Sequence, residues 1–196
     1  LGLVMFPTLL YILQNITMNF LEKDLEDIIY NTDNAKLRER GLPIYGIKLR
    51  QVRLGSYGVA DLVTIQLRAN NEKHPDAEMI DYFGHKLIIT VYELKLGLIG
   101  YSALGQCVKY SKAIEEIVNG LNYQIYDIYD YELNHVLIGS KIDTNSDFCY
   151  LININDIAKA YIYDYGFDGI SFNRSKGWYR PNGVKKIIDN LNKEPF

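Results

Sequence analysis

The chain holds 196 residues, 48% of them hydrophobic and 23% charged, which suits one folded domain and excludes the disordered and fibrous classes. Its 21 Lys and Arg against 24 Asp and Glu give a formal net charge of -3, so bulk charge points to no nucleic-acid partner and any such partner must be argued from local patches. The two cysteines, Cys107 and Cys149, lie far apart without a C-x-x-C spacing; neither a disulfide framework nor a zinc knuckle is encoded, and a reducing compartment is expected.

The longest apolar stretch, Leu1 to Leu13, is broken by Pro7 and Thr8 and falls short of the ~20 residues that span a bilayer, so no membrane association is expected. It also lacks the basic flank of a secretory signal. Residues 1–18 are therefore read as an extension or remnant outside the functional argument, with Met18 a candidate initiator, and residues 19–196 as a single domain. From Asn19 on, Leu21, Leu25, Ile28 and Ile29 fall at helical spacing and predict an amphipathic helix ending near Asn31. The basic segment that follows, with Lys36, Arg38, Arg40, Lys48, Arg50 and Arg53, reads as a loop leading into strands. Two short strands are expected around Val52–Leu54 and Val59–Leu67, turning at Gly55-Ser56-Tyr57-Gly58.

Arg68 to Phe83 reads as a long loop, and the β-branched run within His85–Leu96 as a central strand. Ala103–Val118 carries Leu104, Cys107, Val108, Ile114 and Val118 at helical spacing and closes at Asn119-Gly120. Beyond it, strands are expected at Gln124–Tyr129, His135–Ile142, Cys149–Ile154 and Gly169–Phe172, with helices at Ile157–Tyr163 and Gly183–Leu191. The order is that of a mixed α/β domain: helix, three strands, helix, strand, then a smaller appended α/β part.

Common catalytic motifs mostly fail. Gly100-Tyr101-Ser102-Ala103-Leu104 lacks the second glycine of a nucleophile elbow. Asp143-Thr144-Asn145-Ser146-Asp147 starts like a calcium loop, but Phe148 replaces the required glycine and no Glu closes it. His74, His85 and His135 have no metal-ligand spacing and read as surface or strand histidines. What remains is a set of acids and a lysine. Asp61 interrupts the apolar run Gly58-Val59-Ala60-Asp61-Leu62-Val63, where a carboxylate is costly to bury without a compensating partner. Glu93 and Lys95 stand two apart in the predicted central strand, so they share a face. In the first helix Glu22 lies about 75° from the centre of the apolar stripe, with Glu26 farther round toward solvent.

Asp61, followed about thirty residues on by Glu93-Leu94-Lys95 between two helices, resembles the PD-(D/E)XK nuclease superfamily. Glu22-Lys23-Asp24-Leu25-Glu26 resembles its first-helix glutamate motif, and Arg50-Gln51-Val52-Arg53-Leu54-Gly55 its first strand. Gln106 and Tyr110 are similar to the Q-x-x-x-Y helix motif of the RecB-like and archaeal NucS-like branches. The resemblance runs from Asn19 to Phe172, loosely after Val118, with Ala60 where the superfamily name has Pro. It implies a restriction-endonuclease-like core of helix, three-stranded antiparallel meander, helix and strand. It further implies a Mg²⁺ or Mn²⁺ cofactor held by Asp61, Glu93, the Leu94 carbonyl and Glu22, since Mg²⁺ keeps several waters and needs few protein oxygens. Lys95 would orient or deprotonate the attacking water and offset phosphate charge, with Gln106 and Tyr110 positioning Lys95 or touching the phosphate.

DNA is the expected substrate, cleaved endonucleolytically in repair, recombination or defence, in the cytoplasm of a prokaryote or from a phage gene. Two alternatives stand beside this: a catalytically silent nuclease-fold module that binds nucleic acid or builds a virion, and an RNA nuclease. Homodimerisation is left open. Nucleic-acid contacts are expected from Arg50 and Arg53, and from a patch holding Arg174, Lys176, Trp178 and Arg180, where basic and aromatic residues interleave without an acid.

Overall fold

The computed structural model describes residues 20–69, 85–120, 128–153, 157–166 and 168–175. Helix α1 (Glu22–Asn31) starts where Asp24 accepts a hydrogen bond from the Leu21 N–H, and its acidic first turn suits the helix dipole. Leu25 and Ile29 are fully buried, but Leu21 is exposed, so the apolar stripe is narrower than its spacing suggests. A short helix α2 (Asn34–Glu39) occupies part of the basic segment expected to be a loop; Asp33 caps it by accepting from the Ala35 N–H.

Strands β1 (Ile47–Arg53), β2 (Val59–Ala69) and β3 (His85–Leu94) form an antiparallel meander, with a 3₁₀ turn at Gly55–Tyr57 between the first two. That turn needs its glycines, since Gly55 and Gly58 have φ of 56° and 115°. A short β4 (Leu98–Ile99) leads into helix α3 (Tyr101–Asn119), which covers the α3 face of the sheet and crosses over to β5 (Ile128–Gly139). A crossover of this length is what allows β5 to pair in parallel with β3. After β6 (Lys141–Ile142), which pairs with β4, come helix α4 (Ser146–Asn153) and the strands β7 (Lys159–Gly166) and β8 (Gly169–Ser175).

The main sheet has the order β1-β2-β3-β5-β7-β8, a mixed six-stranded sheet in an α/β fold. On one face Leu104, Cys107 and Val118 of α3 pack on Val63, Val91 and Leu137. On the other, Leu25, Ile29 and Leu37 of α1 and α2 pack on Leu62, Leu94 and Ile138. Burying a Leu or Ile side chain contributes roughly 1.5–3 kcal/mol, so the central strands, covered on both faces, anchor the molecule. Among the described residues no helix is long and apolar enough to cross a membrane.

Two expectations are overturned. Residues 149–153 of the expected Cys149–Ile154 strand are instead the C-terminal part of α4, and Ile154 lies outside the described residues. The expected helix Ile157–Tyr163 is not formed: residues 159–163 are the start of β7, paired with both β5 and β8. Two others are extended: β2 continues through Arg68 to Ala69, and β5 runs from Ile128 into the strand expected at His135–Ile142, with β6 after Ser140; residues 124–127 of the strand expected at Gln124–Tyr129 lie outside the described residues. The predicted helix at Gly183–Leu191, most of the Arg68–Phe83 loop and the extension 1–18 lie outside the described residues.

Candidate functional site

Asp61 lies at the start of β2 and Glu93 at the end of β3, one position beyond the paired Leu62 and Tyr92, so the two acids are cross-strand neighbours. Strand alternation places Asp61, Glu93 and Lys95 on the face toward α3, in line with Val63 and Val91. The partner that a carboxylate in this apolar strand demands is present: Asp61 Oδ2 accepts the Leu94 N–H at 2.9 Å. Burial pushes the Asp61 carboxyl up; the Leu94 N–H and Lys95 oppose that shift and Glu22 and Glu26 add to it.

Glu93 is only 2% exposed, with Oε1 2.7 Å from Lys95 Nζ and Oε2 buried without a hydrogen-bond partner. Burial raises its carboxyl to about 7, Asp61 and Glu22 add to the rise, and the Lys95 hydrogen bond holds it back. Burial alone would lower the Lys95 pKa, but the hydrogen bond to Glu93 and the charges of Glu93, Glu22 and Asp61 prevail, and it is raised. The Lys95 N–H donates to the Ile138 carbonyl at 2.8 Å, which continues the sheet and fixes where the ammonium starts.

Glu22 arrives from the first turn of α1, 4.0 Å from Lys95 Nζ, and accepts the Leu96 N–H at 3.3 Å. Tyr163 OH donates to the Leu96 carbonyl at 2.7 Å, so both polar groups of that residue are held. On α3, Tyr110 is buried with its hydroxyl bonded to Gln106 and its ring against Gly58; burial and the Glu93 charge both raise its pKa. The structure thus brings together Glu22, Asp61, Glu93, Lys95, Gln106 and Tyr110, with Leu94 between them.

The expected nucleic-acid contacts are not gathered in the same way. Arg50 is taken up by Glu26 and Asp27, at 2.9 and 2.7 Å, and its guanidinium lies over the Tyr30 ring. Arg53 is exposed and pairs with Val59, two residues from Asp61. Arg174 sits on β8, at the opposite edge of the sheet from β1, roughly five strand spacings or about 24 Å away. Its register, through Tyr161 and Ile138, puts it level with Leu94, so it is the lateral distance across the strands that separates it from the acids. Lys176, Trp178 and Arg180 lie outside the described residues.

One acid expected to face solvent is instead buried. Glu26 is 6% exposed and accepts the Gln51 amide at 2.6 Å. The signal for it was the run of polar residues Lys48, Arg50 and Gln51 in the adjoining strand, which needed a counterpart on the helix.

A cavity of about 440 Å³ lies elsewhere, on the sheet face below α1 and α2, lined by Thr64, Thr90, Tyr92, Asn134, Lys159 and Tyr161 among others. The Tyr92 hydroxyl there is already bonded to Thr64 and Thr90, and the rim acid Glu132 is paired with Lys86. The acid site has the chemistry that the cavity lacks: a buried carboxylate with an uncommitted oxygen beside a lysine.

Among the described residues no group of three or more His, Cys, Asp or Glu side chains is close enough to hold a metal ion. The donor set nonetheless fits a hard cation that keeps most of its waters: Glu93 Oε2 has no other partner, Asp61 adjoins it, and all donors are oxygens. The chain matches no protein-family model, no curated protein and no solved structure.

Proposed function

We propose that the chain is a Mg²⁺- or Mn²⁺-dependent nuclease of the PD-(D/E)XK kind that hydrolyses phosphodiester bonds in DNA endonucleolytically. The observation that carries this reading is Glu93, buried with one oxygen on Lys95 and the other uncommitted, one strand away from Asp61. The meander followed by a helix and a parallel strand adds support, since that order is the one the resemblance implies.

Asp61 and Glu93 would hold the ion with the Leu94 carbonyl, and Glu22 would reach it through a water; when bound, such an ion polarises the phosphate and acidifies a water. Lys95 would keep its ammonium on the site, because Glu93, Glu22 and Asp61 hold it charged. It would orient the attacking water and balance charge on the phosphate. Tyr110, steadied by Gln106, would support the α3 side of the site. Arg53, exposed at the same end of the sheet, would meet a backbone phosphate.

The test is incubation with supercoiled plasmid, linear duplex, single-stranded DNA and RNA, each with Mg²⁺, Mn²⁺ or EDTA. Nicking of plasmid that EDTA and Asp61→Ala both abolish is the expected result. Cleavage of RNA alone would shift the substrate, and a protein inert on every substrate with both metals would leave a binding module.

A further inference from the structure

Among the described residues Gln51 is the one non-glycine with positive φ, at 50°. A side chain in this region of backbone space carries steric strain and persists only where its surroundings hold it there. Gln51 sits in β1 directly across from Asp61, between the pairs Arg50 with Leu62 and Val52 with Ala60. Regular strand alternation would send Arg50 and Gln51 to opposite faces. Both instead reach Glu26: Arg50 Nε lies 2.9 Å from one carboxylate oxygen, and the Gln51 amide donates to the other at 2.6 Å.

A third residue of the same strand, Lys48, donates to the Ile29 and Thr32 carbonyls at the C-terminal end of α1. β1 therefore grips α1 at its last turn through Lys48 and at its middle through Arg50 and Gln51. Glu22 stands one turn before Glu26, about 6 Å along the axis at 1.5 Å per residue. Its hydrogen bond from the Leu96 N–H, at 3.3 Å, is already beyond the usual N–H···O range, so a small axial slip of α1 would break it.

We infer that Gln51 is a positioning residue: its strained backbone turns its amide onto Glu26, and the resulting clamp of β1 on α1 fixes the Glu22 carboxylate against the Leu96 N–H and Lys95. The inference rests on the metal-site reading above, in which Glu22 holds a water of the ion. Gln51 touches no reacting atom and acts through Glu26 and the helix.

The experiment is a double-mutant cycle on Mn²⁺ affinity, measured by calorimetric titration of the full chain and independent of cleavage. Gln51→Gly accepts a φ of 50° without strain but loses the amide. Gln51→Asn tolerates the same backbone yet is one methylene too short to reach Glu26, and it serves if the glycine variant does not fold. Each is made in the wild type and in Glu22→Ala. The expected result is about tenfold weaker Mn²⁺ binding in the wild-type background and no further loss in Glu22→Ala, the size typical of a residue that orients a metal ligand. Unchanged affinity, or an equal loss in both backgrounds, overturns the positioning role while the metal site stands. A wild type that binds no Mn²⁺ overturns the metal-site reading and this inference with it.

Discussion

Replacing Glu93 by Gln should make the protein more stable above neutral pH and flatten part of its pH dependence. Burial raises the Glu93 carboxyl from 4.5 to about 7, so between those values the folded state holds a proton that the unfolded chain has released. Stability from this group is complete below pH 4.5, declines as pH rises through the interval, and is gone above 7. A tenfold change in proton affinity is worth about 1.4 kcal/mol, which caps the loss near 3 kcal/mol. The loss expected in a measurement is therefore about 1–3 kcal/mol. Gln mimics the protonated acid and keeps an oxygen for the Lys95 ammonium, so it should not suffer this decline. Urea midpoints at pH 4.5, 5.5, 6.5 and 8, with EDTA throughout, give the difference between Glu93→Gln and wild type. That difference should grow by about 1–3 kcal/mol toward pH 8. Parallel curves, or a gap that widens toward acid pH, would refute the buried, proton-holding Glu93.

The remaining expectations address the ion, the lysine and the core. Mg²⁺ or Mn²⁺ should raise the thermal midpoint of the wild type relative to EDTA and leave that of Asp61→Ala unmoved, because the ion relieves the repulsion between Asp61 and Glu93; an identical response in both would count against a shared ion site. Lys95→Ala should keep DNA affinity in a filter-binding assay and lower cleavage by about 10²-fold or more, whereas Lys112→Ala, which removes only the exposed pair with Glu115, should cleave at the wild-type rate. Leu25→Ala, at a fully buried α1 position, should cost about 2–5 kcal/mol in denaturant unfolding, and a cost under 1 kcal/mol would mean that α1 is not packed on the sheet as described.

How much of this could be read from the sequence depends on whether the deciding interaction is local. The periodicity of α3 and the β-branched run of β3 are local and long, and both elements form where expected, α3 starting two residues earlier at Tyr101. The shared face of Glu93 and Lys95 follows from strand alternation alone, and their charged groups meet at 2.7 Å. The failures are short apolar runs, which periodicity cannot assign. Residues 149–152 are apolar or aromatic and suit a strand. What makes them helical is upstream, where the Asp147 N–H bonds Asn145 and the Asn145 N–H bonds Asp143. The stretch that failed as a calcium loop is thus the entry turn of α4. Residues 157–163 mimic helical spacing, yet Ala160 and Tyr161 take their conformation from β5 and β8 on either side, a tertiary choice invisible in one segment. Glu26 was misplaced for a related reason: a helical wheel locates an acid relative to the apolar stripe, but not relative to the Arg50 and Gln51 that wait for it on β1.

The acid site is expensive for the fold, and the way the cost is distributed bears on what the site does. Each buried carboxylate oxygen left without a donor forfeits about 1–3 kcal/mol, and Glu93 Oε2 is such an atom on the most enclosed acid of the sheet. A sequence under selection for stability alone would carry an apolar residue at this position, as it does at Val91 and Leu137 beside it. Lys95 leaves that atom unsatisfied, because its contact is with Oε1, and the Asp61 carboxylate, itself an acceptor of the Leu94 N–H, has no donor to offer it. What would satisfy Oε2 without displacing either bond is a ligand that brings positive charge and its own waters. With a carboxyl that titrates near 7, Glu93 would gain that ligand and lose its proton within the same narrow range of pH, so occupancy of the site and stability of the central strand would rise together.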